Sequence, residues 1–508
     1  MNKVAPIRLK SYYKRTKIVA TLGPSITQKI WDLSMFNDPK NVELVSLAYQ
    51  RMEEIIRAGV NTVRLNFSHG SYEEHQIRIN IVREVAKKVS RNISIMLDTK
   101  GPEIRLGHII DGPQPVKKDS EVVIYTKKQI DGDGTKFFVT DSTGTYNMAK
   151  DVKKDGLILV DDGKLQLKII NINVEEGIIT TKALNNHTVN DKKRINLPNT
   201  EYSMPFMSEK DKQDLLFGIK NKVDYIAASF VNSKENVMEM RKFLDDNGGS
   251  QIQIVSKIES THAIRNIDEI LDTTNGVMVA RGDLGLEIPF YDVPYWEKYI
   301  IRKSRLIGKP VIVATQMLDS LERNIQPTRA EVTDVYFAVD RGADATMLSG
   351  ESAQGQFPVQ AVYTMRQINK KSELLFDYHR AIEWYFKRTT LPRYTKKIAL
   401  KIAKKCIPSG TEVAPSFPYN FVILFTNDKQ IVWTLADIRP AASIIVVSDE
   451  PELMTCFGIN YAILTHYVKD LNIAKQNYQQ VVREAVDRFE PNEKQIIAFI
   501  DGKFKEIM

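Results

Sequence analysis

The sequence predicts an α/β protein built around a closed (β/α)8 barrel, with a small β domain inserted into the barrel and a second α/β domain after it. Three observations lead to this fold class. Short apolar runs alternate with amphipathic helical stretches from residue 16 onward, the texture changes between residues 102 and 202, and the alternation resumes after residue 369. At 508 residues the chain is also too long for one hydrophobic core, so roughly two to four domains are expected.

Eight apolar runs predict the strands of the barrel. They lie at residues 18–22, 62–66, 94–98, 224–229, 252–258, 276–280, 310–315 and 344–348. Predicted helices at residues 48–58, 73–89, 234–246 and 330–341 lie between them. Nearly continuous apolar strands that alternate with helices are typical of a parallel sheet covered on both faces. The eight units predict a (β/α)8 TIM barrel over residues 1–101 and 203–369, whose active site lies at the C-terminal ends of the strands.

The segment at residues 102–202 interrupts the barrel after the third strand and has a different composition. It is rich in Gly, Asp, Lys and Thr, and turn signals such as Asp131-Gly132-Asp133-Gly134 separate its short β-branched runs. These runs lie at residues 121–125, 157–160, 165–171 and 177–182. Such a pattern predicts an all-β domain. A small β-barrel inserted at the C-terminal end of a strand would lie over the barrel mouth, where we expect it to act as a lid.

Residues 370–508 predict a separate C-terminal α/β domain of Rossmann-like character. Apolar runs at 421–425, 443–447, 462–464 and 495–500 accompany predicted helices at 396–405 and 477–489. The region contains no Gly-rich dinucleotide fingerprint, which argues against a nicotinamide site.

Composition and charge favour a globular protein that binds anionic metabolites. Apolar residues make up 43% of the chain, charged residues 26%, and the formal net charge is +8. A positive balance suits either nucleic acid or anionic metabolites. The basic residues are spread along the chain, and the densest run, Asp191-Lys192-Lys193-Arg194, is too short for a nucleic-acid stripe. We therefore expect small anionic ligands and no nucleic acid.

Cysteine usage and the lack of long apolar segments predict a cytoplasmic protein. Cys406 and Cys456 are the only cysteines, which excludes a disulfide scaffold and fits a reducing compartment. We expect both thiols to be buried. Residues 1–17 are basic but have no apolar core, and no later segment approaches the roughly 20 apolar residues that cross a membrane.

The strongest functional signal is the pair of segments Lys257-Ile258-Glu259 and Ala280-Arg281-Gly282-Asp283. Residues two apart on a strand share a face, so Lys257 and Glu259 should point the same way, while Asp283 follows the next strand. One amine and two carboxylates at neighbouring strand ends suit a divalent-metal site beside a charged electrophile, as in phosphoryl or enolate chemistry. A strand-end salt bridge explains the Lys257 and Glu259 pair equally well when it is taken alone.

Other predicted strand ends also carry unusual polar groups. The second, third and seventh strands end in Arg64-Leu65-Asn66-Phe67-Ser68-His69-Gly70, Asp98-Thr99-Lys100-Gly101-Pro102-Glu103-Ile104-Arg105 and Ala314-Thr315-Gln316-Met317. Buried charge is costly unless it is paired or binds a ligand. Packing alone therefore does not explain several such ends at one barrel mouth.

With these segments, and with residues 254–259, 276–283, 310–318 and 347–351, the chain resembles the pyruvate kinase family over nearly its whole length. The matching motifs are long and specific. The resemblance implies a glycolytic enzyme that transfers the phosphoryl group of phosphoenolpyruvate to ADP, giving pyruvate and ATP.

The resemblance also implies roles for the residues at the strand ends. Glu259 and Asp283 would hold Mg²⁺ or Mn²⁺, and Lys257 would neutralise the phosphoryl group in transfer, because the transition state spreads negative charge. The backbone amides of Gly282 and Asp283, if they open a short helix, would bind the substrate carboxylate; a tight turn is the alternative for Gly282. Thr315 would take part in protonating the enolate, although a buried threonine also bonds to its own backbone.

Further residues implied by the resemblance surround the two substrates. Arg64 and Arg105 would clamp phosphates bidentately, as guanidinium geometry allows. Arg64 would also be a catalytic residue. Asn66, His69 and Lys210 would face the nucleotide, and Asp162 would reach across from the lid. A turn-forming role is a rival explanation for Asp162. Ser229 completes the substrate-binding set.

The resemblance implies a second cation and an assembly. Asn66, Ser68, Asp98 and Thr99 would supply oxygen ligands to K⁺. Glu103 matches the potassium-requiring pattern of the family, in which a lysine at that position substitutes for the charge of the ion. The family also implies a homotetramer, assembled through the barrel and the C-terminal domain.

The C-terminal domain departs from the family at its sugar-bisphosphate pocket. Activated members carry a Ser/Thr-rich loop after the strand at 421–425, whereas this chain has Thr426-Asn427-Asp428-Lys429-Gln430, with an acidic Asp428 that would repel a phosphate. The chain also ends at Met508, where the family continues through a Gly-rich effector loop and a final strand. We predict no activation by fructose 1,6-bisphosphate, while Lys429, Lys503 and Lys505 leave room for a different anionic effector.

Two other functions compete with this interpretation. Another phosphoenolpyruvate-using barrel enzyme, such as a lyase or carboxylase, is disfavoured by the lid and by Arg105. A catalytically silent relative is disfavoured because the candidate catalytic residues are all present. Two departures from the family remain: residues 30–45 form an extension of unassigned role, and Asn232 stands where an arginine is common, so an ion pair behind the site should be missing.

Overall fold

A closed barrel of eight parallel strands is the largest unit of the structure. The computed structural model describes residues 13–141, 143–411 and 414–507. The strands follow one another round the barrel in chain order, and the last pairs with the first. They are Lys17–Thr21, Thr62–Asn66, Ser94–Asp98, Tyr225–Ala228, Gln253–Ile258, Gly276–Ala280, Val311–Ala314 and Ala345–Leu348. The predicted barrel is confirmed, and each strand end lies within one residue of its prediction.

Helices follow the barrel strands and begin at caps that the sequence encodes. Ser71 and Glu74 form a capping box before Tyr72–Lys88, as Thr328 and Glu331 do before Arg329–Arg341. Each box satisfies two otherwise unpaired amides, which fixes where the helix begins. The barrel helices are Val42–Ala58, Tyr72–Lys88, Glu209–Lys220, Lys234–Asp246, Thr261–Arg265, Ile267–Thr273, Arg281–Glu287, Val293–Ile307, Arg329–Arg341, Gly350–Ala353 and Pro358–Leu375.

The inserted segment forms a second, smaller closed barrel, here called the lid. Its seven strands are Ile104–Leu106, Glu121–Tyr125, Lys136–Thr140, Leu157–Val160, Leu165–Asn173, Ile178–Ala183 and Arg194–Asn196. A separate ribbon pairs Gln114–Val116 with His187–Val189. The patterns predict four of these strands and miss Ile104–Leu106, Lys136–Thr140 and Arg194–Asn196. Two of the missed strands have only three residues and the third shows no alternation, so only pairing across the lid defines them.

The C-terminal region contains a five-stranded sheet beside its helices. The strands, in spatial order, are Ile463–Tyr467, Ser443–Ser448, Phe421–Phe425, Ile496–Ile500 and Lys503–Glu506. The helices are Tyr378–Arg380, Arg393–Lys405, Lys429–Asp437, Leu471–Gln476 and Tyr478–Asp487. The expectation that a final strand is missing is wrong. Lys503–Glu506 pairs antiparallel with Ile496–Ile500, because a tight turn at Asp501 and Gly502, both at positive φ, returns the chain at once.

Burial tests the expectation for the two cysteines, and the structure also describes the extension at residues 30–45. Cys406 is buried as predicted, but Cys456 is only partly buried. The extension at residues 30–45 contains a short helix, Leu33–Asn37, and the start of the first long barrel helix, Val42–Ala58. Met35 and Phe36 pack against the barrel core. In the part of the chain that the structure describes, no helix has the length and apolar character needed to cross a membrane.

Candidate active site

A cleft of about 330 Å³ lies between the mouth of the barrel and the lid. Its lining residues are Arg64, Asn66, Ser68, His69, Asp98, Lys100, Glu103, Arg105, Asp161, Asp162, Lys192, Lys193, Arg194, Ser229, Phe230, Lys257, Glu259 and Asp283. Apart from Phe230, these side chains are charged or polar. Such a lining suits a small anionic ligand rather than an apolar one.

Lys257 projects from the fifth barrel strand into the floor of the cleft. Its ammonium nitrogen lies 2.8 Å from Ser229 Oγ, 3.2 Å from Asp98 Oδ1 and 2.9 Å from Glu259 Oε1. Burial opposes the charge, but the neighbouring carboxylates outweigh burial and raise the pKa of Lys257. The side chain is therefore a permanent positive charge at the cleft floor.

Glu259 shares the cleft floor with Asp283 and lacks one hydrogen bond. Glu259 Oε2 accepts from the Phe230 amide at 2.7 Å. Oε1 has no hydrogen bond of acceptable geometry, although Lys257 Nζ lies 2.9 Å away. Burial, together with the nearby charge of Asp283, raises the pKa of Glu259. Two close carboxylates, one with an unsatisfied oxygen, form a donor set that suits a hard divalent cation.

The protein supplies only part of a metal-coordination shell here. Among the residues that the structure describes, no group of three or more His, Cys, Asp or Glu side chains is placed to hold a metal ion. A divalent cation on Glu259 and Asp283 would therefore complete its shell with oxygens from ligands or solvent, as Mg²⁺ commonly does at phosphate sites.

Arg64 is fixed at the same floor by two partners. Its Nε lies 2.5 Å from Asp98 Oδ2, and its Nη1 donates to Thr21 Oγ1 at 2.9 Å. Burial opposes ionisation of Asp98, but Arg64 and Lys257 outweigh burial and lower the pKa of Asp98. One buried carboxylate thus holds two cations in position at the cleft.

Three of the four candidate potassium ligands line the cleft. Asn66, Ser68 and Asp98 line it, whereas Thr99 does not. Asn66 Oδ1 accepts from the Ser68 amide at 3.1 Å, and Thr99 Oγ1 accepts from the Ser229 amide at 3.1 Å. The cluster is rich in oxygen, which is the donor type that alkali cations use.

Thr315 and Gly282 contact each other where the sixth and seventh strands end. Thr315 Oγ1 accepts from the Gly282 amide at 2.7 Å and donates to the Ala314 carbonyl at 2.6 Å. Thr315 has a φ of 69°, which is rare for a β-branched residue. Arg281 Nη2 donates to the Thr315 carbonyl at 2.7 Å and supports this backbone. Gly282 lies in the first turn of the short helix Arg281–Glu287, as predicted.

The lid contributes paired charges to the opposite wall. Arg105 Nη2 lies 2.8 Å from Glu103 Oε2. Asp161 is buried and lies 2.9 Å from Lys193 Nζ, whereas the neighbouring Asp162 is exposed, with a φ of 55°. Of the two adjacent acids, Asp161 therefore makes the ion pair, and the turn-forming explanation for Asp162 agrees with its backbone.

Arg194 extends from a lid strand to the barrel floor. Its Nη1 forms an ion pair with Asp283 Oδ1, and its guanidinium carbon lies 5.1 Å from the centre of the Phe230 ring. Burial opposes ionisation of Asp283, but Arg194 and Lys257 outweigh burial and lower the pKa of Asp283. Arg194 thus joins the lid to a candidate metal ligand.

Comparison with known proteins identifies the family. Residues 13–362 match the family described as pyruvate kinase, barrel domain. A pyruvate kinase of Mycoplasma pneumoniae is 47% identical over 483 residues, which cover 94% of this chain and 95% of that protein. The chain belongs to the pyruvate kinase family.

Similarity to other pyruvate kinases extends beyond the barrel. A pyruvate kinase of Geobacillus stearothermophilus is 37% identical over 473 residues, covering 93% of this chain and 75% of that protein. A crystal structure of a pyruvate kinase from Cryptosporidium parvum matches with a TM-score of 0.84 and 30% identity, over 97% of this chain and 96% of that chain. The lid and the C-terminal sheet are therefore part of the shared fold.

Four predicted site residues do not line the cleft: Thr99, Lys210, Gly282 and Thr315. Lys210 pairs instead with Asp214, and its ammonium nitrogen lies 4.6 Å from the centre of the Tyr72 ring. The remaining predicted residues are brought together from seven separate segments of the chain, although their roles remain predictions.

Sequence reasoning missed several charged residues that line the cleft, including Lys192, Lys193, Arg194 and Asp161. One signal was present, because residues 191–194 are the densest basic run of the chain. The run is too short for a nucleic-acid stripe, but it supplies cations to the cleft. Pairing of Arg194 with Arg105 across two short lid strands brings the run to the cleft, and no local pattern predicts that pairing.

Asn232 stands where an arginine is common in the family, and it forms hydrogen bonds rather than an ion pair. Its Oδ1 accepts from Ser260 Oγ, and its carbonyl accepts from Asn266 Nδ2 at 2.8 Å. A neutral polar network therefore stands behind the fifth strand at this position.

Proposed function

We propose that the cleft between barrel and lid is where this enzyme transfers the phosphoryl group of phosphoenolpyruvate to ADP. That transfer, giving pyruvate and ATP, is the glycolytic reaction of the pyruvate kinase family. The observation that carries the placement is the Lys257 ammonium, which lies within 3.2 Å of Asp98, Ser229 and Glu259 at the cleft floor. Lys257 and Arg64, two cations held by the one carboxylate of Asp98, suit a transition state with spread negative charge.

Glu259 and Asp283 are the proposed ligands of Mg²⁺ or Mn²⁺. The support is the pair of close carboxylates and the unsatisfied Oε1 of Glu259. When bound, such an ion would neutralise phosphate and carboxylate oxygens of the substrate. The chain's own contribution is to hold the two carboxylates: the Phe230 amide orients Glu259, and the helix Arg281–Glu287 presents Asp283.

Lys257, Arg64 and Ser229 are proposed to bind and orient the phosphoryl group. Lys257 stays protonated because the carboxylates around it raise its pKa. Asp98 pairs with both Lys257 and Arg64 and so sets the positions of the two cations relative to each other. The Gly282 and Asp283 amides, at a helix start, would bind the substrate carboxylate once the Gly282 amide leaves Thr315 Oγ1.

Thr315 is proposed to hold the proton that the enolate receives. Its Oγ1 lies 2.7 Å from the Gly282 nitrogen, next to the proposed carboxylate site. Arg281 holds the carbonyls of Ala314 and Thr315, which fixes the hydroxyl direction despite the unusual φ. A threonine hydroxyl is a weak acid, so we expect it to act within a hydrogen-bonded chain that includes solvent.

The nucleotide and K⁺ are proposed to bind in the same cleft, next to the phosphoryl group. ADP would be surrounded by six residues: Arg64, Asn66, His69, Arg105, Asp162 and Lys210. Asn66, Ser68, Asp98 and Thr99 would bind K⁺, which their oxygen-rich arrangement supports. Lys210 forms an ion pair with Asp214 in this structure and would leave it to reach the nucleotide.

The lid, the assembly and the location are proposed on the same basis. Residues 1–101 and 203–369 would form the catalytic barrel, 102–202 the closing lid, and 370–508 the C-terminal domain of a cytoplasmic homotetramer. Support for a barrel interface comes from exposed aromatic residues on one surface. Phe290 is 80% exposed, Tyr291 70% and Tyr295 63%. Such apolar exposure is typical of association surfaces.

A coupled assay for pyruvate tests the proposal directly. Purified protein with phosphoenolpyruvate, ADP, Mg²⁺ and K⁺ should form pyruvate, and Glu259→Gln should abolish that activity while the protein stays folded. A Glu259→Gln variant with normal turnover would show that the carboxylate pair is not the metal site. Failure of the wild type to form pyruvate would instead favour a silent relative.

A further inference from the structure

Arg194, a residue of the lid, forms an ion pair with Asp283, a proposed metal ligand. Its guanidinium is mostly buried, with 18% of the side chain exposed, and forms an ion pair with the Asp283 carboxylate. Two further acids, Glu259 and Glu103, also favour its charge. A guanidinium cannot lose its proton in a protein, so this positive charge is permanent.

The position of Arg194 is held from a second direction. Its guanidinium carbon lies 5.1 Å from the centre of the Phe230 ring, a cation–π distance. The backbone amide of the same Phe230 donates to Glu259 Oε2 at 2.7 Å. Arg194 therefore packs on Phe230, whose amide orients Glu259, and it also forms an ion pair with Asp283.

We propose that Arg194 is a latch, an internal cation that holds the lid against Asp283 and competes with a divalent cation for that carboxylate. This inference rests on the proposed metal site at Glu259 and Asp283. The two cations repel each other, and both draw on the negative charge of one carboxylate, whose Oδ1 accepts from Arg194. Metal binding is therefore weakened for as long as Arg194 stays on Asp283.

The competition couples metal binding to the position of the lid. Arg194 belongs to the lid strand Arg194–Asn196, which pairs with both Ile104–Leu106 and Leu157–Val160. When Arg194 leaves Asp283, the lid loses an ion pair to the barrel floor. By linkage, any ligand that holds the lid open favours the metal, and the metal loosens the lid to the same extent.

Mn²⁺ binding without substrates tests the competition. Free Mn²⁺ is measured by electron paramagnetic resonance during titration of the full chain as wild type, Arg194→Gln, Lys193→Gln and Asp283→Asn. Lys193→Gln is the matched control, because it removes one adjacent positive charge whose partner is Asp161 rather than Asp283. We expect Arg194→Gln to bind Mn²⁺ about tenfold more tightly, within the usual range of coupling between sites, and Lys193→Gln to change little.

Hydrogen exchange at backbone amides gives an independent readout. In the wild type, Mn²⁺ should speed exchange in the strand Arg194–Asn196, because the latch opens. In Arg194→Gln, exchange there should already be fast and should not respond to Mn²⁺. This measurement also shows whether the variant retains a folded lid, since the strands Glu121–Tyr125 and Ile178–Ala183 should stay protected.

The outcomes separate this inference from the proposed function. Unchanged or weaker Mn²⁺ binding in Arg194→Gln, with binding abolished in Asp283→Asn, would overturn the latch and leave the metal site intact. Normal Mn²⁺ binding in Asp283→Asn would overturn the metal site itself. An equal gain in Lys193→Gln would show a general charge effect, and this too would overturn the latch.

Discussion

Replacing Lys257 with methionine tests the central residue of the proposed mechanism. Lys257→Met keeps a chain of similar length and volume but removes the ammonium. Three oxygens lose a cation, on Ser229, Asp98 and Glu259, at 2.8, 3.2 and 2.9 Å. Asp98 keeps its ion pair with Arg64 at 2.5 Å. The lost positive charge therefore affects mainly Glu259 and the bound substrate.

The size of the effect follows from these contacts. Loss of one partner of a buried ion pair typically costs about 3–5 kcal/mol of folding free energy. Burial already raises the pKa of Glu259, so proton uptake by Glu259 should keep the cost at or below the lower end. For turnover, one preorganised charge-stabilising group is worth about 10²–10³ in kcat. A full buried charge should reach at least about 10³, or about 4 kcal/mol.

The assay is pyruvate formation under saturating substrates, Mg²⁺ and K⁺, with circular dichroism to confirm folding. Lys309→Met is the matched control. Lys309 is partly buried and donates to the Thr274 carbonyl at 2.6 Å, but it precedes the strand Val311–Ala314 at the end away from the cleft. We expect Lys309→Met to lose stability and keep its turnover. Folded Lys257→Met with turnover like that of the wild type would refute the role of Lys257.

Three further predictions concern cations, regulation and pH. Replacing K⁺ by tetramethylammonium at constant ionic strength should lower turnover sharply; an unchanged rate would contradict the potassium site. Millimolar fructose 1,6-bisphosphate should leave the phosphoenolpyruvate saturation curve unchanged, because the Asp428 carboxylate already accepts the Gln430 and Ile431 amides at 2.8 and 3.3 Å; a clear leftward shift would refute this. Burial raises the pKa of Asp224 to about 7, from about 4 in an unfolded chain, so the folded state binds more protons and stability should fall as pH rises from about 4 to about 7. Asp224→Asn should flatten that slope in melting temperature, and an identical slope would show that Asp224 does not titrate there.

The barrel was predictable because its strands are buried on both faces. Runs such as Thr62–Asn66 and Gly276–Ala280 are buried almost throughout, and this near-continuous apolar character is visible in the sequence. The lid was harder. Its strand Lys136–Thr140 shows no alternation and Ile104–Leu106 has three residues, so only long-range pairing defines them.

The candidate site was predictable where one strand holds it. Lys257 and Glu259 lie two residues apart, and a strand turns both to one face, as their 2.9 Å separation shows. The lid residues had no such local rule. Asp161 rather than Asp162 is the buried, paired acid, and two adjacent residues of one type in a turn give no indication of which points inward.

The sequence by itself determined the barrel, the family and the carboxylate and amine motifs, because these depend on side-chain periods of two or 3.6 residues and on contiguous segments. Only the tertiary structure decided that Arg194 meets Asp283, 89 residues later in the chain. That contact depends on how a lid closes over a barrel. It joins a charged side chain of the lid to one of the barrel floor, and their pairing is set by the shape of two domains rather than by any repeating pattern.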